Sequence, residues 1–147
     1  MLLDPLMNSM PSIFTRIIQR ESPAEIVYET DRVIAFLDIF PAADGHTLVV
    51  PKREVSDFHD LPGDDATALV LALQRVVRGV TRGMGTPHYN LRLNNGAVAG
   101  QVVFHVHFHV MPRWPGVLHQ KARLDPAKGA ANAARIRAAL KELENSP

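Results

Sequence analysis

The chain contains no cysteine. That excludes a disulfide-stapled scaffold, a thiol nucleophile and a closed thiolate metal site. It also lacks any imbalance of charge: 16 Lys and Arg stand against 15 Asp and Glu, a formal net charge of +1. There is therefore no electrostatic case for binding nucleic acid, which calls for a basic patch. No apolar run reaches the roughly 18 residues of a membrane-spanning helix. Met1 to Met10 carry neither a basic start nor the sustained apolar stretch of a secretory signal. A cytoplasmic protein with no membrane partner is expected. Internal repeats and low-complexity segments are absent, apart from an alanine bias near the C-terminus. What is left is 147 residues of 46% hydrophobic and 21% charged content, the composition of one globular domain with a substantial core.

The informative stretch runs from Gln101 to Met111. His105, His107 and His109 fall at strict two-residue spacing, separated by Val106 and Phe108 and followed by Val110. Successive side chains of a β-strand point to opposite faces, so the spacing predicts a strand with three imidazoles on one side. Phe104, Val106, Phe108 and Val110 then face the core, and their types favour strand over helix.

Three readings of that row compete. One is a half-exposed strand that carries histidine on its wet face, which suits a single histidine better than three in register. A second is a metal site, since neutral imidazole is a common ligand. At about 3.3 Å per residue, His105 and His109 would lie about 13 Å apart, too far to share an ion through bonds of about 2 Å. Adjacent pairs would need further ligands from elsewhere. The third reading is phosphoryl or nucleotidyl transfer, with one neutral imidazole as nucleophile and its neighbours holding phosphate or protonating a leaving group.

His105-Val106-His107-Phe108-His109-Val110-Met111 resembles the histidine-triad motif of the HIT superfamily of nucleotide hydrolases and transferases, and most of all its nucleotide-binding (Hint) branch. Gly45-His46-Thr47-Leu48-Val49-Val50-Pro51-Lys52 is similar to a second signature of that family. The resemblance spans Ser12 to Arg113. It implies an α+β fold with a five-stranded antiparallel sheet, a short N-terminal helix, one long central helix and a C-terminal helix. Residues 1–11 are expected to be loosely ordered, 12–115 to form the domain and 116–147 an extension.

Taken in order, Ser12 caps a helix over Ile13 to Arg20, whose apolar stripe is Ile13, Phe14 and Ile17. The resemblance implies that these three wall a purine pocket, joined by Ile39 and Leu48. Strands are expected over Glu25 to Tyr28 and Val33 to Leu37, with Asp38 directly after the second. By resemblance Asp38 accepts from the ribose hydroxyls, and His46 approaches the triad and orients it. Pro62-Gly63-Asp64-Asp65 opens the long helix with Asp64 or Asp65 as its cap, and Gly83 or Gly85 ends it. A strand over Tyr89 to Asn94 leads into the glycine-bearing loop from Asn95 to Gln101. There the resemblance implies phosphate contacts from Asn94, Gly100, Gln101 and the backbone of Val102. The family usually carries Ser or Thr where this chain has Val102, so a hydroxyl contact is missing. Arg113 is either close to phosphate or solvated. Asp125-Pro126 starts the last helix, with Ala133, Ile136, Leu140 and Leu143 as its stripe.

The function implied is hydrolysis of a purine nucleoside phosphoramidate or related nucleotide of AMP or GMP type at the α-phosphate. His107 attacks to form a nucleotidyl-histidine, His109 assists the leaving group, and His105 and His46 orient the nucleophile. No metal or other cofactor is implied, and a homodimer is. A dinucleoside polyphosphate hydrolase and a non-catalytic purine-nucleotide-binding protein are the alternatives.

Overall fold

The computed structural model of the protein describes residues 10–118 and 122–145. Its elements are α1 (Ile13–Ile18), β1 (Ile26–Glu29), β2 (Val33–Leu37), β3 (Thr47–Pro51), α2 (Gly63–Met84), β4 (His88–Arg92), β5 (Phe108–Arg113) and α3 (Pro126–Glu144). The five strands form one sheet in the order β1-β2-β3-β5-β4, and every neighbouring pair is antiparallel. The expected α+β architecture is the observed one. The segment expected to be loosely ordered lies largely outside the described residues.

Both faces of the sheet are covered, so β2 and β3 are buried throughout and lose the apolar–polar alternation of a half-wet strand. Their side chains still alternate between two separate clusters. Val33, Ala35, Leu37, Val49 and Val110 join Leu69, Leu73, Val76 and Val80 of α2 in the larger core. Ile34, Phe36, Leu48 and Val50 point the other way and meet Phe14 and Ile17 of α1. The face under α1 is the one that carries the imidazoles, with Phe14 against His105 and His107.

Helix α3 lies beside α2 and reaches β1. Two glycines one turn apart permit the approach. A Cβ on Gly83 would stand 2.9 Å from the Arg135 carbonyl oxygen, and one on Gly79 2.5 Å from Leu140. Arg137 of α3 donates to the Ile26 carbonyl and to Glu25, which closes the β1 edge. At the opposite edge all of β4 is exposed.

Three expectations need correction. The strand carrying the triad starts only at Phe108, so His105 and His107 precede it. Pairing of β3 with β5 stops at Val49–Phe108, because β3 ends on Pro51, which has no N–H for the ladder. The preceding segment is instead fastened to the loop after β3, with the Val106 N–H donating to the Val55 carbonyl at 2.8 Å. Phe104 is the second departure: it is 54% exposed, not in the core, whereas Val106 and Val110 are buried as expected. Third, neither Asp64 nor Asp65 caps α2, whose N-cap is Pro62. Asp65 is buried and paired with Arg53 at 2.6 Å and Arg32 at 3.3 Å, tying the helix start to the ends of β2 and β3. Gly85 ends the helix in the left-handed conformation. Among the described residues, no helix is long and apolar enough to cross a membrane.

Candidate active site

The imidazoles form a continuous row despite the short strand. Ring centroids of His107 and His109 are 5.0 Å apart, and His46 on β3's leading edge lies 5.1 Å from His109. Phe14 of α1 sits against both His105 and His107, at 5.8 and 5.0 Å. The tautomer of each ring can be read from partners that act in one sense only.

His105 is wholly buried. Its Nε2 meets the Pro51 carbonyl at 2.7 Å, and a carbonyl only accepts, so Nε2 carries the proton. Nδ1 then accepts from the Ser12 hydroxyl at 2.7 Å. Ser12 is thereby both the cap of α1, accepting from the Thr15 N–H, and the anchor of the first triad ring. Glu54 completes this corner, taking hydrogen bonds from the Ser12 N–H and the Thr15 hydroxyl, each at 2.6 Å. Partial burial acts to raise the Glu54 carboxyl, but those bonds outweigh it and hold it below its ordinary value.

His107 is also buried. Its Nδ1 donates to the His105 carbonyl at 2.7 Å, which leaves Nε2 unprotonated with its lone pair available for attack. Burial pushes the pKa of both rings below 6.5; for His107 the His105 carbonyl and the charge on Asp38 oppose this in part. The middle ring is thus held neutral at neutral pH, the state a nitrogen nucleophile needs.

At the far end, the main-chain N–H of Ala42 donates to Nδ1 of His46 at 2.8 Å. The proton of His46 must therefore sit on Nε2, which meets His109 Nδ1 at 2.9 Å. It follows that His109 accepts at Nδ1 and carries its own proton on Nε2. The row presents a lone pair on His107 next to a donor on His109. Asp38 lies beside it, accepting from the Phe40 N–H at 2.9 Å with its other oxygen 3.6 Å from His46 Nε2.

Asp38, His46 and His109 also offer ligand atoms within 4.8 Å of one another. Their chemistry does not suit a cation as arranged. While Ala42 occupies Nδ1 of His46, its Nε2 bears a proton and has no lone pair to give.

Residues 19–116 match the family profile of the HIT domain. The chain belongs to the HIT family. An uncharacterized HIT-like protein of Methanocaldococcus jannaschii is 47% identical over 104 residues, covering 71% of this chain and 80% of that one. The adenosine 5'-monophosphoramidase of Schizosaccharomyces pombe is 41% identical over 104 residues, 71% of this chain and 75% of its own length. The crystal structure of a zinc-bound histidine triad family protein from Mycobacterium smegmatis superposes with a TM-score of 0.84, with 34% identity over 95% of this chain and 99% of that one.

The remaining sequence candidates fall into three groups in this HIT domain. Phe14, Ile17 and Leu48 are buried together, and Leu48 pairs directly with His109 across β3 and β5. Ile13 and Ile39 lie at the surface, the latter 52% exposed. Asn94 follows β4, whose Arg92 pairs with His109, and its amide lies 3.5 Å from the Gly100 carbonyl. Gly96 and Gly100 both have positive φ, which lets the chain fold back within six residues. Gln101 is turned inward: its carbonyl accepts from Gly96 N–H at 2.7 Å, and its amide donates to Ser56 and Val103 at 3.1 Å each. Its side chain braces the loop. The Val102 side chain is 85% exposed, and its main-chain N–H has no acceptor among the described residues.

Sequence reasoning assigned Ser12 only as a cap and did not find Glu54, Ala42 or the Pro51 carbonyl. Backbone groups carry no residue-type signal, and Glu54 lies in a loop without a motif.

Proposed function

We propose that this HIT domain hydrolyses a purine nucleoside phosphoramidate, or a closely related nucleotide, at the α-phosphorus. The Nε2 lone pair of His107 attacks phosphorus, the bond to the leaving nitrogen breaks, and that nitrogen departs with the proton of His109 Nε2. The negative charge left on the His109–His46 pair is offset by the cationic nucleotidyl-imidazolium of His107, 5.0 Å away between ring centres. Water then attacks the nucleotidyl-histidine, gives a proton to His109, and frees a nucleoside monophosphate and neutral His107. Atoms and charges return to the starting state without a further reactant. The observation that carries this reading is the fixed tautomer pair, with Nδ1–H of His107 on the His105 carbonyl and Nδ1 of His109 accepting from His46. The phosphoramidase of S. pombe, as a relative, points to the same substrate class.

Binding follows from the surroundings. The apolar cluster of Phe14, Ile17 and Leu48, with surface-exposed Ile13 and Ile39, suits the faces of a purine. Asp38, whose carboxylate accepts from the Phe40 N–H, is the acceptor offered to ribose hydroxyls. The Val102 N–H and the Asn94 and Gly100 loop suit phosphate oxygens, whereas the Gln101 side chain serves the loop itself. The bare β4 edge, with exposed Tyr89 and Leu91, and the exposed Val70 and Leu71 of α2 support pairing with a second copy.

The decisive experiment mixes the protein with a model adenosine phosphoramidate and measures intact mass. One added adenylyl group is expected, located on His107, with release of AMP. His107→Ala should still bind AMP yet release none; normal turnover by that variant would discard the assignment. The Val102 side chain offers no hydroxyl to a leaving group, which favours a second reading, nucleotide binding alone. Calorimetric binding of AMP with no turnover by the unaltered protein would establish it.

A further inference from the structure

Arg113 stands at the end of β5, four residues beyond His109 and on the same face of the strand. Its guanidinium donates to the Ala42 carbonyl at 3.3 Å and, through Nε, to the Asn90 side chain at 2.9 Å. It also lies 3.8 Å from the Met111 sulfur. Ala42 is the residue whose N–H fixes His46. The contacts therefore close a ring: β5 reaches Ala42 through Arg113, Ala42 holds His46, and His46 returns to β5 at His109.

We propose that Arg113 is a positioning residue for His109, acting through Ala42 and His46. The inference rests on His109 being the proton donor of the proposed reaction. Its physical content is a choice of tautomer. With Ala42 N–H directed at Nδ1, His46 must donate from Nε2 and His109 must keep its proton on Nε2. If the loop turns that N–H away, His46 is free to move its proton to Nδ1. His46 Nε2 then accepts from His109 Nδ1–H, and His109 Nε2 is left as a lone pair with nothing to give a leaving group.

The loop has room to turn. A cavity of about 380 Å³ lies against it, lined by Pro41, Ala43, Asp44, Arg113, Trp114 and Lys128 among others. Across it Lys128 of α3 reaches Asp44 at 3.0 Å, and Arg113 is the group that fastens the Ala42 carbonyl itself. A planar, permanently charged guanidinium suits the task, since its donors keep fixed directions while it braces two strands and a loop.

The test reads tautomers directly. Long-range ¹⁵N–¹H correlation spectra of the labelled full chain should show Nε2–H for His46 and His109 in the unaltered protein. In Arg113→Met, both rings should shift toward Nδ1–H. Turnover of a model adenosine phosphoramidate should fall roughly 10- to 100-fold in kcat while KM stays within about twofold. Arg113→Lys, which restores a donor to Ala42, should recover most of the native tautomer signal. Asn90→Ala removes a different partner of Arg113 and should leave both tautomers unchanged. Where the methionine variant does not fold, Arg113→Gln carries the same readout. Unaltered His46 and His109 tautomers in a folded variant lacking the guanidinium overturn the proposal. The spectra need no turnover, so failure of the proposed reaction would be seen separately.

Discussion

The two outer histidines of the triad are equidistant in sequence from His107, yet they are built in opposite ways. His105 is sealed in the protein, with one ring nitrogen on the Ser12 hydroxyl and the other on the Pro51 carbonyl. Both of its hydrogen-bonding positions are spent on holding α1 and the end of β3 together. His109 is only partly buried and takes its inner partner from another histidine, so the sense of its outer nitrogen is set by a relay. In the proposed reaction one end of the row is structural and the other chemical. Residue type and spacing were identical; the partners made the difference.

That contrast can be broken at several points. The largest effect is expected at the chemical end. His109→Gln keeps a neutral donor but no transferable proton, and kcat should fall about 10²- to 10⁴-fold with little change in unfolding midpoint. His105→Leu should do the reverse. It strands the Pro51 carbonyl and the Ser12 hydroxyl in a buried site and should cost about 3 kcal/mol in urea unfolding. If His105→Leu, measured on the folded fraction, loses as much kcat as His109→Gln, the division of labour is wrong.

Ser12→Ala sharpens the same point with a smaller change. It removes the cap of α1 and the donor to His105, and about 1–2 kcal/mol of stability should go with it. A loss in Ser12→Ala that fully persists when His105 is already Leu would show that the two do not act as one unit.

The smallest effect is in pH. Burial places the folded-state pKa of His105 and His107 below the unfolded 6.5. Both states are neutral above that value, so the contribution is complete there. As pH falls below about 6.5 the unfolded chain takes up protons first, and stability declines toward the lower folded values. The urea midpoint should therefore drop between pH 7.5 and 5.5, less steeply in His105→Leu. Turnover limited by neutral His107 should persist below pH 6.5 before it fails.

Much of this was readable before any coordinates. The apolar series Ala66, Leu69, Val70, Leu73, Val76, Val77 and Val80 marked α2 and its buried face, because a helix repeats every 3.6 residues regardless of its neighbours, although Val70 itself is 47% exposed. The alternation from His105 to Val110 marked the imidazole row, and Val106 and Val110 went to the core as their type required. Phe104 did not, because its segment leaves the ladder where Pro51 cannot support it. Asp65 was taken for a cap, since a carboxylate at a helix start has that use far more often than the buried pairing with two arginines found here. Gln101 was taken for a phosphate contact, and nothing in its sequence position marks a side chain folded back on Gly96.

The amino-acid sequence alone determined the family, the α+β class and which histidines stand in line, because those depend on residue type and on spacing along the chain. The tertiary structure decided which nitrogen of each ring holds a proton. That depends on the Pro51, His105 and Ala42 backbone groups and on the Ser12 hydroxyl, brought from distant or unmarked parts of the chain. A carbonyl or an N–H is present at nearly every residue, so only folding selects the one that faces an imidazole.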